Sequence, residues 1–543
     1  MSEVLNLSAD STVATATREH PYARYACYAA LFLSLTFFAA LRFHFRNMPL
    51  ERDEGEYAYM GQLVLQGVAP YKLAYTMKLP GTCLAYAAMM AVFGETPGGI
   101  RLGMIVVTTL CAILVFLLGR KLSGLLVGTV AGVTYPFLAI RPGVLGMDGH
   151  ATHFVVLFAL AGMLLLLRCM ERERTILYFA SGLSFGLSFI MKQPGILFAV
   201  FASAYWLWHE WKRGLKWNRL ALAGGLFATG VVLPYALTCL WLLHEGVFGS
   251  FWFWTWSYAR EYGVIMPLRD CWRLCLQWTL PWAVRPFILW EMAIAGLAAP
   301  LWSRYARPHG GFVAGLFFTS MLAVSVGLYF RPHYFIMLLP ACALCIGIAV
   351  DCAQRELRCR SLGRIAAIPL LFFAVSYLAS IHGQWKTYFH LDPAALSRKI
   401  HYDQAYSDAV QVADFIAARA NSKDEIGIIG SEPEVCFYTR LRCASSYLYM
   451  YPLMEKQAFH KQMQSDMLDQ LQSARPRFLI YEDDERAWNW SSTLEENRPF
   501  FNRAWAFAHS YDLVLHIAAP PVDASYPVHL YDSAPALYVF ERN

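Results

Sequence analysis

Between positions 51 and 59 the chain reads ERDEGEYAY, which sets four acidic residues within six positions just after the first long apolar run. Asp53 and Glu56 have the D-x-x-E spacing of a capping box, and Glu54 suits the positive end of a helix dipole. Helix initiation alone therefore explains acids here. Carboxylates beside low-dielectric lipid and beside one another also have their charged forms disfavoured, which raises proton affinity towards a working pH. Other ionisable residues recur at the ends of apolar runs. Lys192 closes one of them beside Pro194, a position in which such groups usually serve function. Arg331 and His333 share an RPHY turn, where a guanidinium fork and a weaker donor can hold phosphate oxygens. His333 alone reads better as a satisfied structural histidine. Asp148 with His150, in MDGHATHF, fits an acceptor contact, a metal ligand or a helix N-cap. By residue type alone, Lys78 in KLPG is equally a snorkelling lysine at a membrane edge.

The elements that position these residues are apolar helices. The 543 residues are 57% hydrophobic and 15% charged, with a mean hydropathy of +0.37, which defines a polytopic membrane protein. The net charge of +6 is spread over short clusters between apolar runs, so composition excludes a nucleic-acid partner. The thirteen cysteines have no paired spacing and mostly sit inside apolar runs, which gives no zinc motif. At the length needed to cross a bilayer, about eleven spans are expected, near 25–41, 101–118, 124–140, 151–167, 176–191, 194–208, 220–243, 284–302, 312–330, 334–350 and 364–381. The first, lacking a small-residue cleavage site, reads as a retained anchor.

With residues 1–24 in the cytoplasm, the basic clusters at 120–121, 168–174, 212–219, 304–307 and 355–364 all fall on the cytoplasmic side. Short loops opposite carry single basic residues, Arg141, Lys192 and Arg331, as the positive-inside rule requires. The loop 42–100 is then outside. It has room for two short amphipathic helices, from Asp53 to Gln66 and from Pro80 to Phe93, lying along the membrane surface with Tyr57 on the apolar face of the first. A second outer loop, 244–283, holds the aromatic run FWFWTWSYAREYG and suits the interface. Residues 382–543 also fall outside, and helical DAVQVADFIAARA alternating with strand-like EIGIIG and FLIY suggests a small α/β domain. GSEPE follows its first strand in place of a dinucleotide fingerprint. Cys436 and Cys443 would meet an oxidising compartment there, as a disulfide or as two thiols.

The order RDEGEYAYMGQLVLQGVAPY…KLPG, IRLGMIVVTTLCAILVFLLGRKL, MDGHATHF, FIMKQPG and RPHYFIMLLP resembles the GT-C membrane glycosyltransferases. Within that group it is similar to the branch of protein O-mannosyltransferases, lipid A aminoarabinose transferases and bacterial transferases of lipopolysaccharide core sugars. The resemblance covers most of residues 25–381 and extends less specifically to GSEPEVCFYTRLRCASSY. It implies a bacterial inner-membrane enzyme that moves a sugar from a polyprenyl-phosphate donor to a hydroxyl of a glycolipid, polysaccharide or protein on the outer face, by single displacement with inversion. Leu79, where many members carry proline, and His150, where an apolar residue is common, depart from the pattern and leave acceptor choice open.

Such a reaction needs a proton acceptor and a group that stabilises departing phosphate. The resemblance implies Asp53 as base, with Glu54 beside it to bind acceptor or hold Asp53, and Lys78 on the donor phosphate. Lys192, Arg331 and His333 are the further phosphate candidates, and Tyr57, Asp148 and His150 the candidates for the acceptor side. Within the four acids, Glu56 is expected to cap the helix and Glu51 to be solvated. The acid pair can hold a divalent cation, although the motif does not demand one. A transporter or flippase would instead show charges at mid-bilayer and inverted repeats, and no repeat halves are evident. A non-catalytic protein that binds lipid-linked sugar is the third reading.

Overall fold

A computed structural model describes residues 21–542 apart from 173, 215–216, 284–286, 361, 402–403, 484–493 and 519–535, so most of the expected N-terminal segment 1–24 lies outside the described residues. Every expected apolar run carries helix. The first part of the chain contains α1 (Pro21–His44), α2 (Arg52–Leu65), α3 (Gly81–Phe93), α4 (Pro97–Ser123), α5 (Leu125–Ala139), α6 (Ala151–Arg172), α7 (Ile176–Met191), α8 (Ile196–Lys212) and α9 (Trp217–His244). Next come α10 (Phe248–Trp252), α11 (Ala259–Ile265), α12 (Leu268–Ala283), α13 (Phe287–Leu297), α14 (Ala299–Trp302), α15 (Arg307–Ser325), α16 (Leu339–Cys359) and α17 (Ile368–His382).

Among the described residues, six helices are long and apolar enough to cross a membrane by length and composition: α1, α4, α6, α9, α15 and the segment Gly363–His382. α5 and α7 have only 15 and 16 residues, and the last turns of α16 carry Asp351, Arg355 and Glu356. The protein is thus a polytopic α-helical membrane protein with a small C-terminal sheet module. The outward faces of the long helices remain apolar, as Leu33, Val106, Val232, Phe318 and Leu371 illustrate.

The C-terminal module is a five-stranded mixed sheet in the order β2-β1-β3-β5-β4, built from β1 (Glu425–Ile429), β2 (Arg442–Cys443), β3 (Phe478–Asp483), β4 (Asp512–Ala518) and β5 (Ala536–Glu541). β1 runs parallel to both neighbours, while β5 is antiparallel to β3 and β4. EIGII and FLIY become buried strands. The helix read in DAVQVADFIAARA spans Ala405–Ala417. Cys436 and Cys443 form a disulfide.

Three expectations change. α2 does not lie on a surface with one apolar face, because every residue from Glu54 to Leu63 is buried. It is enclosed by α3 on one side and by the C-terminal module on the other. Gly55 permits that approach, since a Cβ there would sit 2.7 Å from the backbone nitrogen of Glu434. Gly81, which starts α3, does the same against α7, where a Cβ would meet the Ile190 carbonyl oxygen at 2.5 Å. Second, the cap of α2 begins two residues earlier than the spacing suggested. Glu51 is the N-cap and accepts from the Asp53 N–H at 2.8 Å, while the Glu51 N–H donates to Glu54 Oε2 at 3.2 Å. The box is therefore E-x-x-E, so Glu51 is not simply solvated and Glu56 is not the capping residue. Third, the aromatic run is only partly interfacial. Its π-helical turn Phe253–Tyr258 buries Trp254 against Tyr75 and Tyr447 and Tyr258 against Trp254, leaving Trp252 and Trp256 exposed.

Candidate active site

Asp53 is the second residue of α2, with its carboxylate 24% exposed, whereas Glu54 and Glu56 beside it are fully buried. Lys78 Nζ donates to Asp53 Oδ1 at 2.7 Å and forms a close ion pair with Glu56. Its ammonium also lies over the Tyr57 ring, 4.5 Å from the centroid. The other Asp53 oxygen faces His150 Nδ1 at 3.9 Å and His333 Nε2 at 4.0 Å. These two imidazoles stack with centroids 4.1 Å apart. Four separate segments therefore meet at one carboxylate.

The electrostatics reverse one expectation. Burial pushes the Asp53 carboxyl upward, but the Lys78 ammonium, then His333 and His150, pull it well below the usual carboxylate range. Asp53 is an ionised carboxylate held by a cation, not an acid poised near neutrality. The Lys78 ammonium is correspondingly stabilised despite its burial, chiefly by Asp53 and Glu56.

Glu54 points elsewhere. Its two oxygens take both terminal nitrogens of Arg101, the second at 2.7 Å, and Oε1 also accepts from the Gly149 N–H at 2.5 Å. With Glu51 N–H on Oε2, the carboxylate is committed on every side. It ties α2 to α4 and to the 148–150 turn, so it anchors Asp53 and does not face an acceptor. Arg101 was missed in the sequence, although a lone arginine opening an apolar run was a usable signal. Asp148 is also buried and lies 3.7 Å from Arg101, 3.7 Å from His150 and 3.5 Å from His401.

Lys192 extends from the α7–α8 junction, with Nζ 3.7 Å from the centroid of Tyr334. Burial, reinforced by Lys78 and Arg331 and opposed by Asp53, brings its ammonium down to about 7. Arg331 lies over the Tyr329 ring at 5.7 Å. Burial lowers His150 to about 4 and holds His333 well below the ordinary value, so both rings are neutral at physiological pH. Neutral imidazoles can ligate metal. One ligand atom each from Asp53, His150 and His333 lies within 4.8 Å of the others, and neither buried ring nitrogen of His150 has a hydrogen-bond partner. This set fits a divalent cation. The Asp53–Glu54 pair does not, because Glu54 is occupied by Arg101.

Two further residues of the site are Glu56, read in the sequence only as a helix cap, and Tyr449, which no spacing in the sequence marks. Glu56 accepts from Lys78, and Tyr449 of the C-terminal module donates its hydroxyl to Glu56 Oε2 at 2.8 Å while standing 3.3 Å from Asp53 Oδ1. Beside Tyr449 a small cleft is lined by Tyr75, Trp254, Tyr258, Tyr447 and Tyr451.

Residues 78–237 match the dolichyl-phosphate-mannose-protein mannosyltransferase family. An undecaprenyl phosphate-alpha-4-amino-4-deoxy-L-arabinose arabinosyl transferase of Pseudomonas paraeruginosa is 26% identical over 344 residues, covering 60% of this chain and 61% of the relative. The likeness thus spans about six-tenths of that relative's length. Among solved structures, ArnT from Cupriavidus metallidurans bound to undecaprenyl phosphate superposes with a TM-score of 0.57 at 15% identity, covering 95% of this chain and 96% of that one. The archaeal oligosaccharyltransferase AglB from Archaeoglobus fulgidus, in complex with an inhibitory peptide and a dolichol-phosphate, gives 0.50 at 9% identity over 94% and 76%. The chain shares the fold of these solved membrane transferases, and its residues 78–237 are similar to the mannosyltransferase family. A second such arabinosyl transferase, from Pseudomonas aeruginosa, is 28% identical over 257 residues, covering 43% of this chain and 46% of the relative.

Proposed function

We propose that the chain transfers a sugar from a polyprenyl-phosphate donor to an acceptor hydroxyl on the outer face of a bacterial inner membrane, with inversion. In this reading residues 1–24 are cytoplasmic, 25–381 form the catalytic membrane unit and 382–543 lie in the periplasm. The observation that carries it is the partly exposed Asp53 carboxylate held between Lys78 and the His150–His333 pair. The donor class follows from the relatives, whose names specify undecaprenyl phosphate.

Asp53 takes the proton of the acceptor hydroxyl as its oxygen attacks the anomeric carbon. The bond from that carbon to the phosphate oxygen breaks, and polyprenyl phosphate leaves with the electron pair. Lys78, Lys192 and Arg331 supply positive charge to the leaving phosphate. Lys78 couples the two halves of the step. When donor phosphate draws its ammonium away, Asp53 loses its main stabilising cation and becomes a stronger base. Asp53 Oδ2, His150 and His333 would hold a divalent cation, which would supply charge stabilisation to the leaving group when bound and would leave Oδ1, the oxygen that faces Lys78, to take the proton.

The purified chain, given labelled polyprenyl-phosphate sugars and extracted bacterial glycolipid, should transfer label to the glycolipid. Release of label only to water, or none at all, would argue for a binding protein or a flippase.

A further inference from the structure

Among the described residues, the place where such sheets usually bind ligands, beyond the carboxyl ends of parallel strands, is taken by a side chain of the membrane unit. Ser431 and Glu432 follow β1, and Glu482 lies near the end of β3. Between them sits Arg52, the residue before Asp53. Arg52 Nε donates to the Ser431 carbonyl at 2.6 Å, and Nη2 reaches Glu432 Oε1 at 2.5 Å and Glu482 Oε1 at 3.2 Å. Glu482 Oε2 in turn accepts from the Ser431 N–H at 2.9 Å, which fixes the loop that holds the guanidinium. The Met450 N–H donates to Ser431 Oγ at 3.0 Å, so the same loop orients the neighbouring Tyr449.

The module grips the α2 region at further points. The Leu50 N–H donates to Tyr438 OH at 2.8 Å, and the Cys443 N–H donates to Tyr59 OH at 2.8 Å. Both ends of the Asp53 segment are thereby attached to the C-terminal module, one to its helix Glu434–Thr439 and the other to β2.

We infer that the C-terminal module is a positioning clamp for the Asp53 carboxylate, with Arg52 as its latch and Tyr449 as the positioning residue that orders Asp53, Glu56 and Lys78. This rests on the transferase reading and deepens it, because the membrane unit alone leaves the site incomplete. A guanidinium fork is suited to this task, since it makes several directed bonds from one planar group. Tyr449 acts through its hydroxyl, which holds Glu56 and thereby the ammonium that balances Asp53.

The test uses the full chain in lipid nanodiscs, as wild type, Tyr449→Phe and Arg52→Lys. Tyr449→Phe keeps the ring and removes the hydroxyl, so kcat is expected to fall about ten- to a hundredfold with KM for the polyprenyl-phosphate sugar within about twofold. Arg52→Lys keeps the charge and loses the fork, so amide exchange across residues 51–66 is expected to quicken about tenfold or more. Unchanged kcat in Tyr449→Phe, or unchanged exchange in Arg52→Lys, overturns the clamp. Should the wild type turn over no such donor, the transferase reading fails, and exchange in the two variants still decides the clamp by the same criterion.

Discussion

Lys78 Nζ lies 2.7 Å from Asp53 Oδ1 while pairing with Glu56 on its other side. One ammonium thus balances two carboxylates, and under the proposed mechanism its withdrawal by donor phosphate would raise the basicity of Asp53.

Replacing Lys78 by methionine removes that balance. The Asp53 carboxyl is held low mainly by Lys78, so its pKa rises in the variant. A carboxylate base works above its pKa and fails below it, so the acid limb of the transfer profile should move to higher pH. Transfer per donor concentration should also fall by about a hundredfold or more, since a charge-assisted phosphate contact is lost as well. Rates measured across pH 4 to 8 check both effects; an unmoved acid limb contradicts the coupling.

Lys192 titrates near 7 because burial and the neighbouring cations Lys78 and Arg331 outweigh Asp53. Its charge is present below that value and is lost as pH rises through it. KM for the donor should accordingly rise above pH 7, by up to about tenfold per pH unit. Lys192→Arg, which keeps its charge throughout, should flatten the rise. Donor KM from pH 6 to 9 in both proteins reads this directly.

The Glu54–Arg101 pair is fully enclosed. Removing one partner strands the other charge, at a cost of about 3–5 kcal/mol. Thermal unfolding in detergent should therefore show Glu54→Gln and Arg101→Met well below wild type, with the double variant recovering part of the loss. Single variants that melt with wild type would show that the pair does not anchor α2.

Much of this architecture was legible in apolar length and in the order of a few charged residues. The expected runs became helices because each hydrophobic stretch is bounded by charge or glycine, and EIGII and FLIY read correctly as strands because β-branched and aromatic residues dominate them. The division of labour among the acids was not legible. Asp53/Glu56 and Glu51/Glu54 have the same spacing, and only the backbone at Glu51 decides which pair caps α2. The proton affinity of Asp53 was misread for a related reason. Local sequence shows the neighbouring acids, whereas the cation that governs Asp53 arrives from 25 residues away. Tyr449 is 396 residues from Asp53, and no local spacing announces such a contact. Glu56 was hidden by its own plausibility as a cap.

Asp53→Asn decides whether Asp53 takes the proton of the acceptor hydroxyl. The amide keeps the size of the side chain but cannot take the proton. With labelled polyprenyl-phosphate sugar and glycolipid acceptor, the variant should stay folded and bind donor, melting somewhat below wild type because the ion pair with Lys78 is lost, yet transfer about a hundred- to ten-thousandfold more slowly. Transfer at the wild-type rate would contradict the account.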